Sequence, residues 1–157
     1  MGGVILTNAG DSFTGATTID FGRLQLGDGT TTVLLSGTPS IGTPFSTVFN
    51  AGILAFDEAA PVSFGTSLQN SIVLEQDGPG TVTLTTAQNN SGLTYVRGGT
   101  LAVGASGALS DIGNPGVGVF IGNATLDISA AAPQTIQLLN GVTGATLNLG
   151  GNGLTLD

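Results

Sequence analysis

The side chains that could carry out acid–base or ionic chemistry are few and of limited type. The chain has ten carboxylates and two arginines, Arg23 and Arg97, but no lysine, histidine or cysteine. Without imidazole or thiol groups, Ser-His-Asp catalysis, Cys-His catalysis and ordinary zinc sites are excluded. Carboxylates are therefore the candidates for proton transfer.

The carboxylates cluster at two places, Asp57-Glu58 and Glu75/Asp77. Paired carboxylates can hydrolyse glycosides when they are held about 5–9 Å apart. A neighbouring cation would favour such a site, but Arg23 and Arg97 are far apart in the sequence. We therefore expect no catalytic, cofactor-binding or metal-binding residue and predict that the chain is not an enzyme. The acids are interpreted as solvated groups on bends, which keep a weakly charged protein soluble.

Two short patterns are typical of ligand-binding repeats. The segment from Gly150 to Leu156 resembles a calcium nonapeptide, but Thr155 replaces the ligand aspartate and no tandem copy follows, so we expect no calcium. Thr81, Thr83 and Thr85 form a Thr-x-Thr pattern typical of ice-binding solenoids, although other strands read Leu-Gln-Leu, Leu-Asp-Ile or Leu-Asn-Leu. Tyr95 and the phenylalanines are interpreted as core or corner packing.

Charge and hydropathy exclude several partners. A net charge of -8 repels the phosphates of nucleic acids and anionic membrane surfaces. No run of eighteen apolar residues could cross a bilayer as a helix, so we expect no membrane insertion by this segment. The start, MGGVILTNAG, lacks the basic region of a signal peptide. We expect an excised fragment of a much larger secreted protein, with an added start.

The elements that must position these side chains are short strands, because apolar and polar residues alternate along the chain. Two alanine-rich segments, Ser106–Ser110 and Ser129–Gln137, are expected to form turns or single helical turns. The predicted strands are Arg23–Leu26, Ile53–Phe56, Thr81–Leu84, Thr100–Val103, Thr125–Ile128, Thr146–Leu149 and Leu154–Leu156.

Strands of four residues bury too little apolar surface to be stable alone, so they must stack. Runs that begin Thr100-Leu101, Thr125-Leu126 and Thr146-Leu147 are spaced by 25 and 21 residues, a period typical of solenoids. This spacing predicts one all-β domain over residues 1–157, a right-handed parallel β-helix of about seven coils. The alternative is an antiparallel β-sandwich, with hairpins at Asp28-Gly29, Asp77-Gly78, Asn140-Gly141 or Asn152-Gly153.

A longer repeat emerges when the chain is shifted by 77 residues. Five residues then coincide with identical ones: Gly15, Thr17, Gly22, Leu24 and Gly27 with Gly92, Thr94, Gly99, Leu101 and Gly104. We interpret the two stretches as copies of one strand–turn–strand unit. Asp20 and Arg97 then fall at matching positions and are interpreted as unrelated surface residues.

Three segments of the second copy carry a recognisable motif: Gly78-Pro79-Gly80-Thr81-Val82-Thr83-Leu84-Thr85, Asn90-Ser91-Gly92-Leu93-Thr94 and Gly98-Gly99-Thr100-Leu101-Ala102-Val103. Together they resemble the autotransporter-associated β-strand repeat. A more diverged copy comprises Gly3–Thr7, Ser12–Thr17 and Gly22–Leu24, and the tail from Gly122 to Gly150 is similar to the connecting stretches. The region from Thr30 to Leu74 matches weakly, which leaves a loop or irregular coils open there as an alternative to regular coils.

The resemblance implies a segment of a passenger domain from a Gram-negative autotransporter. Such a segment would be a non-catalytic structural or adhesive stalk, secreted or displayed at the bacterial surface through a membrane β-barrel outside this sequence. The absence of cysteine fits passage through the outer membrane. The expected partners are a host surface or further copies joined through the coil ends. The alternatives are a carbohydrate-binding or carbohydrate-active β-helix and an ice-binding solenoid.

Overall fold

Short strands follow one another along the chain, as the alternation predicts. The structure is a computed structural model that describes residues 2–10, 15–33, 40–42, 52–110 and 118–157. All seven predicted runs form strands, and none of the described residues is helical. None of them therefore belongs to a helix that could cross a membrane.

The strands form four sheets. Sheet I contains β1 (Gly3–Leu6), β3 (Gly22–Leu26), β5 (Gly52–Phe56), β8 (Val73–Gln76), β11 (Thr94–Val96), β13 (Val119–Ile121) and β16 (Leu139–Gly141). Sheet II contains β6 (Val62–Phe64), β9 (Thr81–Leu84), β12 (Thr100–Val103), β14 (Thr125–Asp127) and β17 (Thr146–Asn148). Sheet III contains β2 (Thr17–Thr18), β4 (Ser40–Gly42), β7 (Ser67–Asn70) and β10 (Asn89–Asn90), and sheet IV pairs β15 (Gln134–Ile136) with β18 (Leu154–Leu156).

All strand pairs among the described residues are parallel, and from β5 to β10 the chain visits sheets I, II and III in turn, twice over. The fold is a parallel β-solenoid of about six turns, not seven. The predicted solenoid is confirmed, and the antiparallel sandwich is wrong, because neighbouring strands run in the same direction. Asn140-Gly141, a proposed hairpin turn, lies inside β16. The right-handed sense of the winding stays a prediction.

The length of each coil is read from the residues that pair in sheet I. Successive steps are 20, 30, 20, 20, 25 and 20 residues, set by the pairs Gly3–Arg23, Arg23–Ile53, Ile53–Val73, Leu74–Thr94, Thr94–Val119 and Val119–Leu139. The two longer steps include residues 34–39, 43–51 and 111–117, which lie outside the described ranges. Six steps of about 4.8 Å give a stack about 29 Å high.

Aliphatic side chains fill the interior as columns, because side chains two apart in a strand share a face. In sheet I, Leu24, Leu54 and Leu74 occupy equivalent positions of consecutive strands. In sheet II the inward column is Val82, Leu101 and Leu126, each 0% exposed. Burying one such side chain contributes about 1.5–3 kcal/mol, so the columns are the main source of stability.

The Thr-Leu runs noticed in the sequence are stacked in register. Thr81 pairs with Thr100, Thr100 with Thr125, and Thr125 with Thr146. The spacing of these threonines in the sequence therefore equals the number of residues in one coil. Because each inward neighbour of these threonines is apolar, the threonines form one outward column on sheet II.

The 77-residue repeat does not follow the winding. It superposes β3 on β12, yet β3 lies in sheet I and β12 in sheet II. Within each proposed copy, however, the first and last segments pair one coil apart: Gly3 with Arg23 in the first copy, and Thr81 with Thr100 in the second. Each copy thus spans one coil, but the two copies begin on different sheets.

Two further expectations need correction. Ser129–Gln137 contains β15, because the residues after Pro133 extend and pair with β18. The weakly matching region from Thr30 to Leu74 contains β5, β6, β7 and part of β8 in regular coils over residues 52–74, while residues 34–39 and 43–51 lie outside the description. Most inward positions of its strands, such as Leu54, Phe64 and Leu68, are apolar even though the repeat motif is absent.

The two ends of the stack leave strand edges open. Strands β1 and β16 each pair on one side only among the described residues. Exposed apolar side chains lie near both edges, Val4, Ile5 and Phe21 at the first, and Leu138 and Val142 at the last. No helix covers either edge within the described ranges.

Candidate functional site

The outer face of sheet I gathers charged residues that are distant in the sequence. Leu24, Leu54 and Leu74 point inward, so Arg23 and Gln25 on β3, Ala55 on β5 and Glu75 on β8 point outward. Strands β3 and β8 are both neighbours of β5, about 9.6 Å apart at the usual strand spacing. A long arginine side chain can cover that distance.

Two of these residues, Arg23 and Glu75, form a closed group with Asp77 and Arg97, which follow β8 and β11 in the chain; we call this group the ionic cluster. Arg23 Nε lies 3.0 Å from Glu75 Oε2, and its Nη2 lies 2.5 Å from Asp77 Oδ2. Arg97 Nη1 lies 2.8 Å from Glu75 Oε1 and 3.3 Å from Asp77 Oδ1. Each arginine therefore bridges both acids, and all four carboxylate oxygens are bound.

A small residue makes this arrangement possible. Ala55 lies between Gln25 and Glu75 in the outward column and is 0% exposed, although it is not part of the apolar core. The Arg23 side chain must pass over β5 to reach Glu75, and we infer that it contributes to covering Ala55. Arg23 also donates to Gln25 Oε1, and Gln25 Nε2 donates to Asp57 Oδ2 at 3.1 Å.

The ionic cluster corrects two expectations. The arginines are far apart in the sequence but share the same acids in space. Glu75 is 7% exposed, so it is not a solvated acid on a bend. Burial lowers the pKa of Arg97, but hydrogen bonds and charge from Glu75 and Asp77 outweigh it and raise that pKa above its ordinary value.

The ion pairs of the cluster connect residues that lie on or just after different strands of sheet I. A nucleophile or a general base needs an oxygen that is free to approach a substrate. In Glu75 and Asp77 each oxygen already accepts a contact from a guanidinium. The cluster therefore links β3, β8 and β11 through side chains on or just after these strands.

The other acidic pair splits between two environments. Asp57 points outward, whereas Glu58 turns inward at the corner after β5 and is 0% exposed. Glu58 Oε2 accepts from the backbone N–H of Val33 at 2.8 Å, and Oε1 has no hydrogen-bond partner among the described residues. Burial raises the pKa of Glu58; the Val33 hydrogen bond only partly opposes this, and the nearby Asp57 charge reinforces it.

A loop after β3 closes over this corner. Asp28 Oδ1 accepts from the hydroxyl and the backbone N–H of both Thr30 and Thr31, at 2.7 to 3.0 Å. The side-chain hydrogen bond from Thr30 is the largest of the effects that lower the pKa of Asp28 to about 2. Gly27 begins the loop at φ 79°, and a Cβ there would lie 2.3 Å from the carbonyl oxygen of Asp57, so this position requires glycine.

Aromatic residues are divided between core and surface. Phe56 and Phe64 pack edge to face in the core, with ring centroids 5.0 Å apart, as predicted. Tyr95 and Phe120 instead pair in the outward column of sheet I and stack at 5.4 Å. The Arg97 guanidinium lies 4.5 Å from the Tyr95 centroid. The expectation of core or corner packing is therefore wrong for these two, because outward positions of one column place their rings side by side.

The structure also places the two patterns that are typical of ligand-binding repeats, the Thr-x-Thr pattern and the segment that resembles a calcium nonapeptide. The threonine column on sheet II has no second threonine column beside it, since the neighbouring outward column reads Ser63, Thr83, Ala102, Asp127 and Asn148. The segment from Gly150 to Leu156 leads into β18. Within the described ranges, no group of three or more histidine, cysteine, aspartate or glutamate residues could hold a metal ion.

The pairing of Arg23 with Glu75 was not predicted from the sequence. The two residues lie two coils apart, across one step of 30 residues and one of 20, so no regular spacing in the sequence brings them together.

Comparisons with protein-family models, with curated proteins and with solved structures gave no match.

Proposed function

We propose that the chain is a non-catalytic segment of a rigid β-solenoid stalk from the passenger of a bacterial surface autotransporter. The observation that carries the proposal is the unbroken parallel stacking of seven strands in sheet I. In such a stack each coil pairs on the one before, so folding can propagate along the rod. The resemblance of residues 78–103 to the autotransporter-associated repeat supports the assignment to this class.

Two features support a mechanical role. The ionic cluster ties three strands of sheet I on the outside, while aliphatic columns fill the inside. The carboxylates of the cluster are paired with arginines, and we propose that they serve this structural purpose. Proteins of this kind would act through length, stiffness and surface.

Surface display tests the proposal directly. The chain would be placed between a secretion signal and a membrane β-barrel, and its exposure on intact cells measured with an antibody to an added epitope. We expect efficient display, because no cysteine can form a disulfide before passage. A variant with two cysteines at paired positions of sheet II, Ala102→Cys and Asp127→Cys, should be displayed poorly under oxidising conditions and normally with reductant. Retention of the unmodified chain inside the cell would contradict the proposal.

We also propose self-association through the coil ends. Unpaired strand edges recruit further strands, and apolar side chains are exposed beside both edges. Light scattering across a concentration series should give masses above 15.4 kDa. Ile5→Lys, on the outward face of β1, should shift the distribution towards monomer, while Ser63→Lys on the outer face of sheet II should not. A strict monomer at all concentrations would contradict this proposal.

A further inference from the structure

A notch interrupts the outer face of sheet I just beyond the ionic cluster. Residues that follow the strands of this sheet form a column, in which Arg97, Gly122 and Val142 occupy equivalent places in consecutive coils. Gly122 has no side chain, so a cavity of about 220 Å³ opens between Arg97 and Val142. A Cβ at Gly122 would lie 3.3 Å from Arg97 Cα, so the floor of the notch is backbone.

The walls of the notch combine aromatic rings with hydrogen-bonding groups. Tyr95 and Phe120 line one side, and Val142, 62% exposed, lines the far end. Asn140 is exposed at the rim, and its side chain makes no hydrogen bond to another described residue. The ion pairs of Arg97 with described residues use Nη1, so its Nε and Nη2 can donate to a bound molecule.

The charge of the notch is already balanced. Arg97 is paired with Glu75 and Asp77, so an anionic ligand would meet a neutralised cation on a protein of net charge -8. A volume of 220 Å³ is also below the about 300 Å³ at which ordinary ligand pockets begin. These properties favour one small, uncharged ring with hydroxyl groups on its edge and an apolar face.

We propose that this notch binds a single neutral pyranose ring within a glycan chain. The C–H face of the sugar would pack against the rings of Phe120 and Tyr95, and its hydroxyls would bond to Arg97 and Asn140. Such a site would give the solenoid a carbohydrate contact regardless of whether it forms part of a surface stalk.

Tyrosine fluorescence can detect binding at this place. Tyr95 is the one tyrosine of the chain, and the chain has no tryptophan, so its emission reports on the notch alone. The full chain would be titrated with maltohexaose, cellohexaose and mannohexaose, and with trigalacturonate as the anionic comparison. We expect a saturable change in emission with at least one neutral oligosaccharide, with a Kd of about 1 mM for a single-ring contact, and none with trigalacturonate.

Two substitutions test whether the notch itself is responsible. Gly122→Val fills the floor and should weaken binding at least about tenfold; Phe120→Leu removes a ring and should weaken it by about the same factor. Ala102→Val adds similar volume to the outer face of sheet II and should bind like the unmodified chain. Circular dichroism and the thermal midpoint establish that each variant is folded, and if Gly122→Val is not, Phe120→Leu decides.

Three results would overturn the inference. These are an unchanged emission with every neutral oligosaccharide, a response to trigalacturonate alone, and unweakened binding by folded Gly122→Val or Phe120→Leu. Because these titrations use the isolated chain, their failure would leave the display experiment unaffected, and failure of display would leave the titrations unaffected.

Discussion

Glu75 and Glu58 are the same residue type in neighbouring coils, yet they are held in opposite ways. Glu75 lies on the outer face of sheet I with both oxygens bound by arginines. Glu58 lies inside the corner, with one oxygen bound to a single backbone N–H and no cation among its described contacts. Burial alone does not decide whether a carboxylate stabilises the fold. A neighbouring cation favours the ionised form of a buried acid, whereas burial without a cation disfavours that form.

The largest change in the free energy of unfolding is expected when Glu75 is replaced. Glu75→Ala removes the acid that both arginines share and leaves two guanidinium groups partly uncompensated. We expect the free energy of unfolding to fall by about 2 kcal/mol, between the values for exposed and for buried pairs. Denaturant unfolding measures it, with Asp20→Ala, an exposed acid that forms no ion pair with a described residue, as the control. Equal losses in both variants would mean that the cluster adds no stability.

Replacing Glu58 at the corner is expected to produce a smaller change, an increase in the free energy of unfolding at pH 7. The folded-state pKa of Glu58 is raised above its ordinary value of 4.5, so the unfolded chain ionises first as the pH rises. The stability linked to protonated Glu58 is therefore complete below pH 4.5 and is lost as the pH rises towards the folded-state pKa. Glu58→Gln removes this dependence and should stabilise the protein by about 1 kcal/mol at pH 7, with no gain below pH 4.5. A gain that is the same at both pH values would contradict the assignment.

The path of Arg23 gives a comparable test on the outer face. Ala55→Leu would place bulk under the guanidinium and displace it from Glu75, which should cost about 1 kcal/mol. Ala102→Leu makes the same change on the outer face of sheet II, where no arginine crosses the strand. Unfolding midpoints of the two variants should differ, and identical midpoints would show that Arg23 does not need the space.

The smallest effect concerns the loop over the corner. Because the pKa of Asp28 is lowered to about 2, its contribution to stability is present above pH 3.8 and is lost as the pH falls towards 2. In Asp28→Asn, the free energy of unfolding should therefore fall less steeply as the pH drops below 3.8. Its dependence on pH above 4.5 should be unchanged. If the free energy of unfolding of Asp28→Asn fell with pH as steeply as that of the unmodified chain below pH 3.8, the predicted contribution of Asp28 would be wrong.

The sequence predicted the winding better than the site. Alternation identified seven strands, and the spacing of Thr100, Thr125 and Thr146 revealed the coil, because side-chain direction and coil length follow from local pattern. The ionic cluster escaped prediction because it depends on which coil lies beside which, as with Arg23 and Glu75, 52 residues apart. The inward turn of Glu58 escaped because a corner breaks the alternation on which the orientation of Asp57 and Glu58 would be judged.

The unequal steps of sheet I have a practical consequence. Between Arg23 and Ile53 the chain is ten residues longer than in the next coil, and yet the pairing of β3 with β5 continues over five consecutive residues. The winding thus accommodates coils of different length while the columns of sheet I stay in register. A solenoid with this property could carry a foreign peptide in a lengthened coil while the neighbouring coils keep their geometry.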